Sequence, residues 1–380
     1  MSECKTVEIP SCFDRTRYDT GFSATRQTGL AKFSPLKQGF IRQKALPHPE
    51  KMNSPANPLS LDNIRAVISA DLVAVDGVIR DRLTSDVVLI NQISQYIIGS
   101  GGKRLRPALV VLAGNHFGAA REQSHHLAAI IEFIHTATLL HDDVVDESDL
   151  RRGRKTASSQ FGNAAAVLVG DFLYSRAFQM MVVIGSVEIM RVLAEATNII
   201  AEGEVLQLLN IHDPETDEAK YLRVVRFKTA KLFEAACRVG AILGGASVEE
   251  ERAIASYGMH LGTAFQLIDD ALDYSGDIGE TGKNIGDDLA EGKPTLPLIY
   301  ALTHGDESEK AAIRRAIEHG GRAEMSAVIQ AIETTGALAY TREQAQREAL
   351  AGEAAISVLK DSEYKGALLQ LCVFAVERSY

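Results

Sequence analysis

Proline placement constrains this chain most: six of its ten prolines (Pro10, Pro35, Pro47, Pro49, Pro55 and Pro58) fall in the first 58 residues, and the remaining 322 residues hold four. Proline breaks a helix interior at a cost of about 3 kcal/mol, so a segment this poor in it is free to be helical almost throughout. Apolar residues recur at helical spacing from about Leu59 onward, with Ser60 placed to cap a first helix over LDNIRAVISADLVAVDGVIRDRL. The pattern predicts further helices over Val87 to Ile98, Pro107 to Phe117, Ser124 to Val145, Ala164 to Val183, Val187 to Leu209, Lys220 to Leu243 and Val248 to Leu272. It continues over Leu296 to Thr303, Glu307 to about Ile332, Thr341 to Leu359 and Lys365 to Glu377. No stretch alternates in the way a sheet requires. The expected class is all-α, a single large helical bundle over residues 58–380, preceded by a net basic tail over residues 1–57. That tail is either a mobile extension, a transit peptide or sequence upstream of the true start.

Charge and cysteine usage narrow the partners. A formal net charge of −10 argues against nonspecific nucleic-acid binding, so any phosphate site must be built locally. The cysteines Cys4, Cys12, Cys237 and Cys372 fall in no metal-ligand or CxxC spacing and read as thiols of a reducing compartment. The longest apolar run, Ala177 to Val187, is too short to span a bilayer, and the first 20 residues lack an apolar signal core.

Two matching acidic clusters carry the chemistry: Asp142, Asp143 and Asp146 in HDDVVD, and Asp269, Asp270 and Asp273 in IDDALD. On a helix, the first and last Asp of DDxxD lie one turn apart on one face, where like charges repel. Two such clusters at the ends of apolar helices call for cations between them. Mg²⁺ fits, because it takes one or two carboxylates, water and phosphate oxygens. The expected arrangement is two facing helices that grip a diphosphate through metal.

Basic motifs flank these clusters. GSGGKRLRPAL offers Lys103, Arg104 and Arg106 at a glycine-rich loop entering a helix at Pro107, either a site for a second diphosphate or an ordinary basic loop. Arg151 and Arg152 follow the first cluster directly, suited to bidentate phosphate contacts. His135 lies two turns before Asp142 on roughly the same face, while His141 reads as packing. Lys228 and Thr229 in FKTA and Gln266 before the second cluster place a cation and two dipoles on helices lining the same cavity. Loop GKNIGDDLAEGKPTLP adds Lys283, Asp287, Asp288 and Lys293. Glu204 and Gln207 in GEVLQ either line that cavity or make a buried hydrogen bond.

In order, spacing and wording, GGKRLRP, FIHTATLLHDDVVDESDLRRG, GEVLQ, FKTA, FQLIDDALDY and GDDLAEGKPTLP resemble the trans-type polyprenyl diphosphate synthases, notably the bacterial long-chain members. The resemblance implies an isoprenoid-synthase bundle around a deep apolar cavity, a homodimer, and Mg²⁺ as cofactor. The implied reaction adds isopentenyl diphosphate to an allylic diphosphate, from farnesyl to octaprenyl diphosphate for a quinone side chain. It implies that Lys103, Arg106, His135 and Arg152 hold isopentenyl diphosphate. Asp142, Asp146 and Asp269 would ligate Mg²⁺, with Asp143, Asp270 and Asp273 supporting them. Arg151, Lys228, Thr229, Gln266, Lys283 and Lys293 would meet the allylic diphosphate or its departing group. In shorter-chain members bulky aromatics floor the cavity near Ala137 and Thr138; small residues here imply a long product. The implied location is a bacterial cytoplasm or, with a transit tail, a mitochondrial matrix, with transient membrane contact for product release. A catalytically silent partner subunit should lack one acidic cluster, and a terpene cyclase of the same architecture should lack the basic loop; this chain has both.

Overall fold

With so little proline to interrupt it, the chain forms helices nearly end to end. The computed structural model describes residues 61–99, 102–151, 153–275, 286–320 and 323–378, all within a unit spanning Asn57–Tyr380. The expected tail and the Ser60 cap lie outside the described residues.

Helices α1 (Leu61–Ala66), α2 (Ser69–Arg82), α3 (Val88–Ile98) and α4 (Leu105–Phe117) precede the long α5 (Arg121–Val145). The only β pairing among the described residues follows, Leu150–Arg151 antiparallel to Arg154–Lys155. Helices α6 (Ala157–Phe161), α7 (Asn163–Ile184), α8 (Val187–Asn210) and α9 (Glu218–Val224) lead into a π-helical turn, Val225–Ala230, and then α10 (Lys231–Leu243) and α11 (Val248–Asp273). The chain closes with α12 (Asp287–Ala290), α13 (Leu296–His304), α14 (Glu307–His319), α15 (Met325–Thr335), α16 (Ala337–Ala355) and α17 (Glu363–Glu377). Helix α11 starts at a capping box, Ser247 with Glu250, which satisfies two backbone donors and fixes where the helix begins.

Helix α5 packs on α4 and α7, α10 on α4 and α11, and α11 on α16 and α17. The apolar stripes meet in one main core. Leu127, Ile130, Ile131 and Ile134 of α5 are fully buried at helical spacing, beside Leu109 and Leu112 of α4, Phe233 of α10 and Tyr257 of α11. Each such side chain contributes about 1.5–3 kcal/mol by leaving water. This packing holds the last turns of α5 and α11, and with them both acidic clusters, in fixed places.

The structure departs from the sequence pattern in four places. The first predicted helix is broken between Ala66 and Ser69, where no proline or glycine accounts for it. The stretch from Glu307 to Ile332 is divided after α14 at Gly320, whose left-handed φ of 64° stops the helix. Lys220 to Leu243 stays helical but passes through the π turn. Helix α7 is long and apolar enough to cross a membrane by length and composition, whereas the sequence pattern offers only the short apolar run Ala177 to Val187. Its Val169, Leu173, Ala177 and Met181 are buried in the core.

Candidate active site

Both DDxxD runs occupy the last turn of a helix. Asp142 and Asp143 end α5 with Asp146 at its cap, and Asp269, Asp270 and Asp273 end α11. A helix C-terminus carries roughly half a negative charge, so carboxylates there are doubly disfavoured unless cations neutralise them. Each cluster is indeed met by cations. Lys228 Nζ stands 3.6 Å from Asp142, Arg151 Nε donates to Asp143 at 2.8 Å, and Lys293 Nζ donates to Asp146 at 2.9 Å. Arg378 Nη1 lies 2.7 Å from Asp269. Asp270 is buried and accepts from the Tyr221 hydroxyl and from Gln266 Nε2 at 2.7 Å. Asp273 accepts from the Asp288 backbone N–H at 3.2 Å.

These groups line a cavity of about 790 Å³. It brings together Lys103, Arg106, His135, Asp142, Asp143, Arg151, Lys228, Thr229, Gln266, Asp269, Asp270 and Asp273, with Leu139, Leu140, Ile200, Leu232 and Phe265 as apolar wall. Asp146 and Lys293 face an adjoining pocket of about 220 Å³ that shares Asp142, Arg151, Lys228 and Gln266. Arg106 Nη1 and His135 Nε2 are 3.0 Å apart, and the Arg106 guanidinium lies over the Phe233 ring at 4.5 Å. Lys103 Nζ lies 5.8 Å from the Phe374 ring centre. Arg152 and Lys283, both expected in the site, lie outside the described residues.

The π turn explains how one short run serves the site. An i→i+5 turn inserts an extra residue into a helix and re-aims side chains, and such turns concentrate at functional sites. Here Lys228 Nζ is 2.6 Å from Glu204 Oε2, while Thr229 Oγ1 donates to Gln266 Oε1 at 2.9 Å. Gln266 therefore links Thr229 to Asp270, its carbonyl taking one and its amide serving the other. The two dipoles expected to line the cavity, Thr229 and Gln266, are thus bonded to each other, with the Thr229 hydroxyl on the Gln266 amide oxygen. Helix α8 can approach this turn because residue 203 is glycine: a Cβ there would stand 2.7 Å from the Lys228 backbone nitrogen. On the opposite side, a Cβ at Gly262 of α11 would stand 2.6 Å from Ala230 Cα.

Burial shifts several of these acids. It pushes Asp143 up despite the opposing Arg151, and pushes Asp270 well above the carboxylate range, with Asp288 adding to the shift. Glu204 rises to about 7 through burial, against the pull of Lys228 and with a push from Asp142. Burial alone would lower Lys293, yet Asp146, Asp288 and Glu291 together hold it well above its usual range, firmly protonated.

Sequence reading missed Arg378, Tyr221 and Glu132. Arg378 follows α17, with its side chain 3% exposed; it bonds the Phe265 carbonyl at 2.6 Å and stacks on the Phe265 ring at 3.7 Å. No spacing signal marks it. His141 bonds the Val167 carbonyl and stacks on Tyr174, in keeping with a packing role. Thr138 lines the cavity, whereas Ala137 is fully buried in the core.

Comparison with known proteins agrees with this architecture. Residues 87–335 match the polyprenyl synthetase family. The chain is 52% identical to octaprenyl diphosphate synthase of Escherichia coli strain K12 over 321 residues, 84% of this chain and 99% of that protein. It is 44% identical to an all-trans-nonaprenyl-diphosphate synthase (geranyl-diphosphate specific) of Rhodobacter capsulatus over 317 residues, 83% of this chain and 97% of that protein. Among solved structures, a polyprenyl synthase from Caulobacter crescentus CB15, complexed with calcium and isoprenyl diphosphate, superposes with a TM-score of 0.82 at 44% identity, covering 86% of this chain and all (100%) of that one. Family match, relatives and fold agree, and the chain belongs to the polyprenyl synthetase family.

Proposed function

We propose that this chain is a long-chain trans-polyprenyl diphosphate synthase that extends farnesyl diphosphate with isopentenyl diphosphate to octaprenyl diphosphate, for a quinone side chain. One observation carries the reading: two acidic helix ends and a separate basic group, Lys103, Arg106 and His135, open on a single cavity. That is what a reaction between two diphosphates requires. The higher identity to an octaprenyl synthase than to a nonaprenyl synthase supports the product length.

The carboxylates suit Mg²⁺. Among the described residues no three metal-binding side chains form a ready-made cage; Asp142, Asp143, Asp146 and Asp269 each stand beside a cation instead. Mg²⁺ is commonly held without such a cage, by one or two carboxylates completed by water and substrate phosphate. Asp142, Asp146 and Asp269 would hold it, with Asp143, Asp270 and Asp273 orienting them. When bound, it would supply Lewis-acid neutralisation of a diphosphate.

The protein's own groups supply the rest. Arg151, Lys228 and Lys293, with Lys283, stabilise negative charge growing on the departing allylic diphosphate, the electrostatic contribution that is usually largest in catalysis. Lys103, Arg106 and His135, with Arg152, hold isopentenyl diphosphate with its double bond toward the allylic carbon. The allylic C–O bond ionises, the double bond attacks the cation, and the released diphosphate takes the proton lost from the adduct. Thr229 and Gln266 present dipoles beside that cation. Leu139, Leu140, Ile200, Leu232 and Phe265 exclude water from it.

Exposed apolar residues on α7 (Leu168, Phe178, Val182) and α8 (Val205, Leu208) support a homodimer through that face. The bacterial relatives support a cytoplasmic bacterial enzyme. The test is release of inorganic diphosphate from farnesyl diphosphate. It should require both Mg²⁺ and isopentenyl diphosphate; release without isopentenyl diphosphate would point to a cyclase, and none under any condition to a silent subunit.

A further inference from the structure

Arg104 sits between Lys103 and Arg106, yet it is engaged differently from either. Its Nη1 donates to Glu132, and its Nε lies 3.5 Å from Asp76. Both members of the Arg104–Glu132 pair are largely withdrawn from solvent, at 17% and 10% side-chain exposure. The Arg104 backbone is left-handed, at φ 48° and ψ 33°. For a non-glycine residue that conformation is strained and persists only where surrounding contacts enforce it. Such contacts are present on both sides: Arg65 of α1 donates to the Lys103 carbonyl, and Glu132 holds the Arg104 side chain against α5. Glu132 precedes His135 by three residues, hence by about one helical turn, and His135 meets Arg106 at 3.0 Å. The start of α4 is thus tied to α5 by two neighbouring rungs, one through Arg104 and one through Arg106.

We infer that Arg104, anchored on Glu132, is a positioning residue that fixes the left-handed turn aiming Lys103 and Arg106 at the diphosphate of isopentenyl diphosphate. The inference rests on the proposed function. Its physical basis is leverage. A cation on a glycine-rich loop and another in the first turn of the helix that it enters would sample many directions if that junction were loose, and ordering them only on binding would weaken affinity. A buried ion pair locked to α5 removes that freedom beforehand. The rival role, in which Arg104 itself grips the diphosphate, predicts the opposite response to loss of Glu132.

Steady-state kinetics with farnesyl diphosphate, isopentenyl diphosphate and Mg²⁺ distinguish them, using wild type, Glu132→Gln, Arg104→Gly and Arg104→Lys. Glu132→Gln should raise KM for isopentenyl diphosphate about tenfold while KM for farnesyl diphosphate and kcat stay within about twofold. Arg104→Gly, which adopts the left-handed turn without strain but lacks the ion pair, should show the same selective rise even if Glu132→Gln folds poorly. Arg104→Lys, still able to pair with Glu132, should recover most of it. A KM for isopentenyl diphosphate that falls or stays unchanged in Glu132→Gln overturns the inference, as does an equal rise in both KM values. Absence of turnover by the wild type would instead refute the functional reading.

Discussion

Replacing Gly203 by alanine should disturb Lys228 without altering any charge. Gly203 lies on the α8 face that meets the π turn, and an added Cβ would stand 2.7 Å from Lys228 N, 2.9 Å from Phe227 Cβ and 3.0 Å from Phe227 C. Two of those atoms are backbone, so no side chain can swing away. Ordinary carbon contacts need roughly 3.5 Å, and the turn must therefore move by somewhat under about 1 Å. Overpacking of this kind costs about 1–3 kcal/mol, while alanine in place of glycine returns about 1 kcal/mol of helix propensity. The net loss of stability should be about 1 kcal/mol. Lys228 rides on the displaced turn, where it holds Glu204 at 2.6 Å and Asp142 at 3.6 Å. A displacement near 1 Å at such a group can lower kcat by roughly 10²-fold. The expected signature is a large loss in kcat with a small loss in urea unfolding free energy. Gly77→Ala is the control, because nothing lies within 4 Å of its added Cβ; it should gain about 0.5–1 kcal/mol with kcat unchanged. Wild-type kcat in Gly203→Ala would refute the claim that close approach of α8 sets the π turn.

Three further outcomes follow from the same geometry. Gln266→Leu strips Thr229 of its acceptor and buried Asp270 of its amide donor, and should lower kcat about 10- to 100-fold; intact turnover would sink its assigned role. Glu204 has a folded pKa raised from 4.5 to about 7, so the folded state holds its proton more tightly than the unfolded chain, and its contribution to stability is lost as pH rises across that window. Glu204→Gln should remove that slope, on the order of 1–3 kcal/mol between pH 5 and 8, in urea titrations; parallel wild-type and variant curves would contradict it. Ala137→Phe puts a ring into the α5 core one position from Thr138 of the cavity wall. It should shorten the product on chain-length analysis, and an unchanged distribution would count against a tunnel beneath Asp142.

The parts legible in the sequence were those with short-range signatures. Helical spacing located α3, α5, α7, α8 and α11 to within a few residues, and the DDxxD runs marked themselves because like charges one turn apart have no structural use alone. Lys103, Arg106, His135, Lys228, Thr229 and Gln266 fell on one cavity because each lay near a motif. The π turn was not legible, since VRFKTA keeps an ordinary helical pattern and its shape comes from packing between Gly203 and Gly262. Arg378 was hidden for a different reason: its partner Asp269 lies on another helix far along the chain, and no local pattern encodes such a pairing. The same holds for Lys293 and Asp146, 147 residues apart, where only the wording of the loop gave the lysine away. Arg104 read only as one of three cations on a loop open to either a diphosphate site or an ordinary basic role; its left-handed backbone and its buried partner Glu132 are tertiary facts.

The most direct test of the account is product analysis after incubating the purified chain with Mg²⁺, isopentenyl diphosphate and farnesyl diphosphate, alongside Asp142→Ala. The account predicts one long polyprenyl diphosphate, octaprenyl in length, formed only with metal and lost in the variant. No elongation from any allylic starter, or a cyclised hydrocarbon made from farnesyl diphosphate alone, would contradict it.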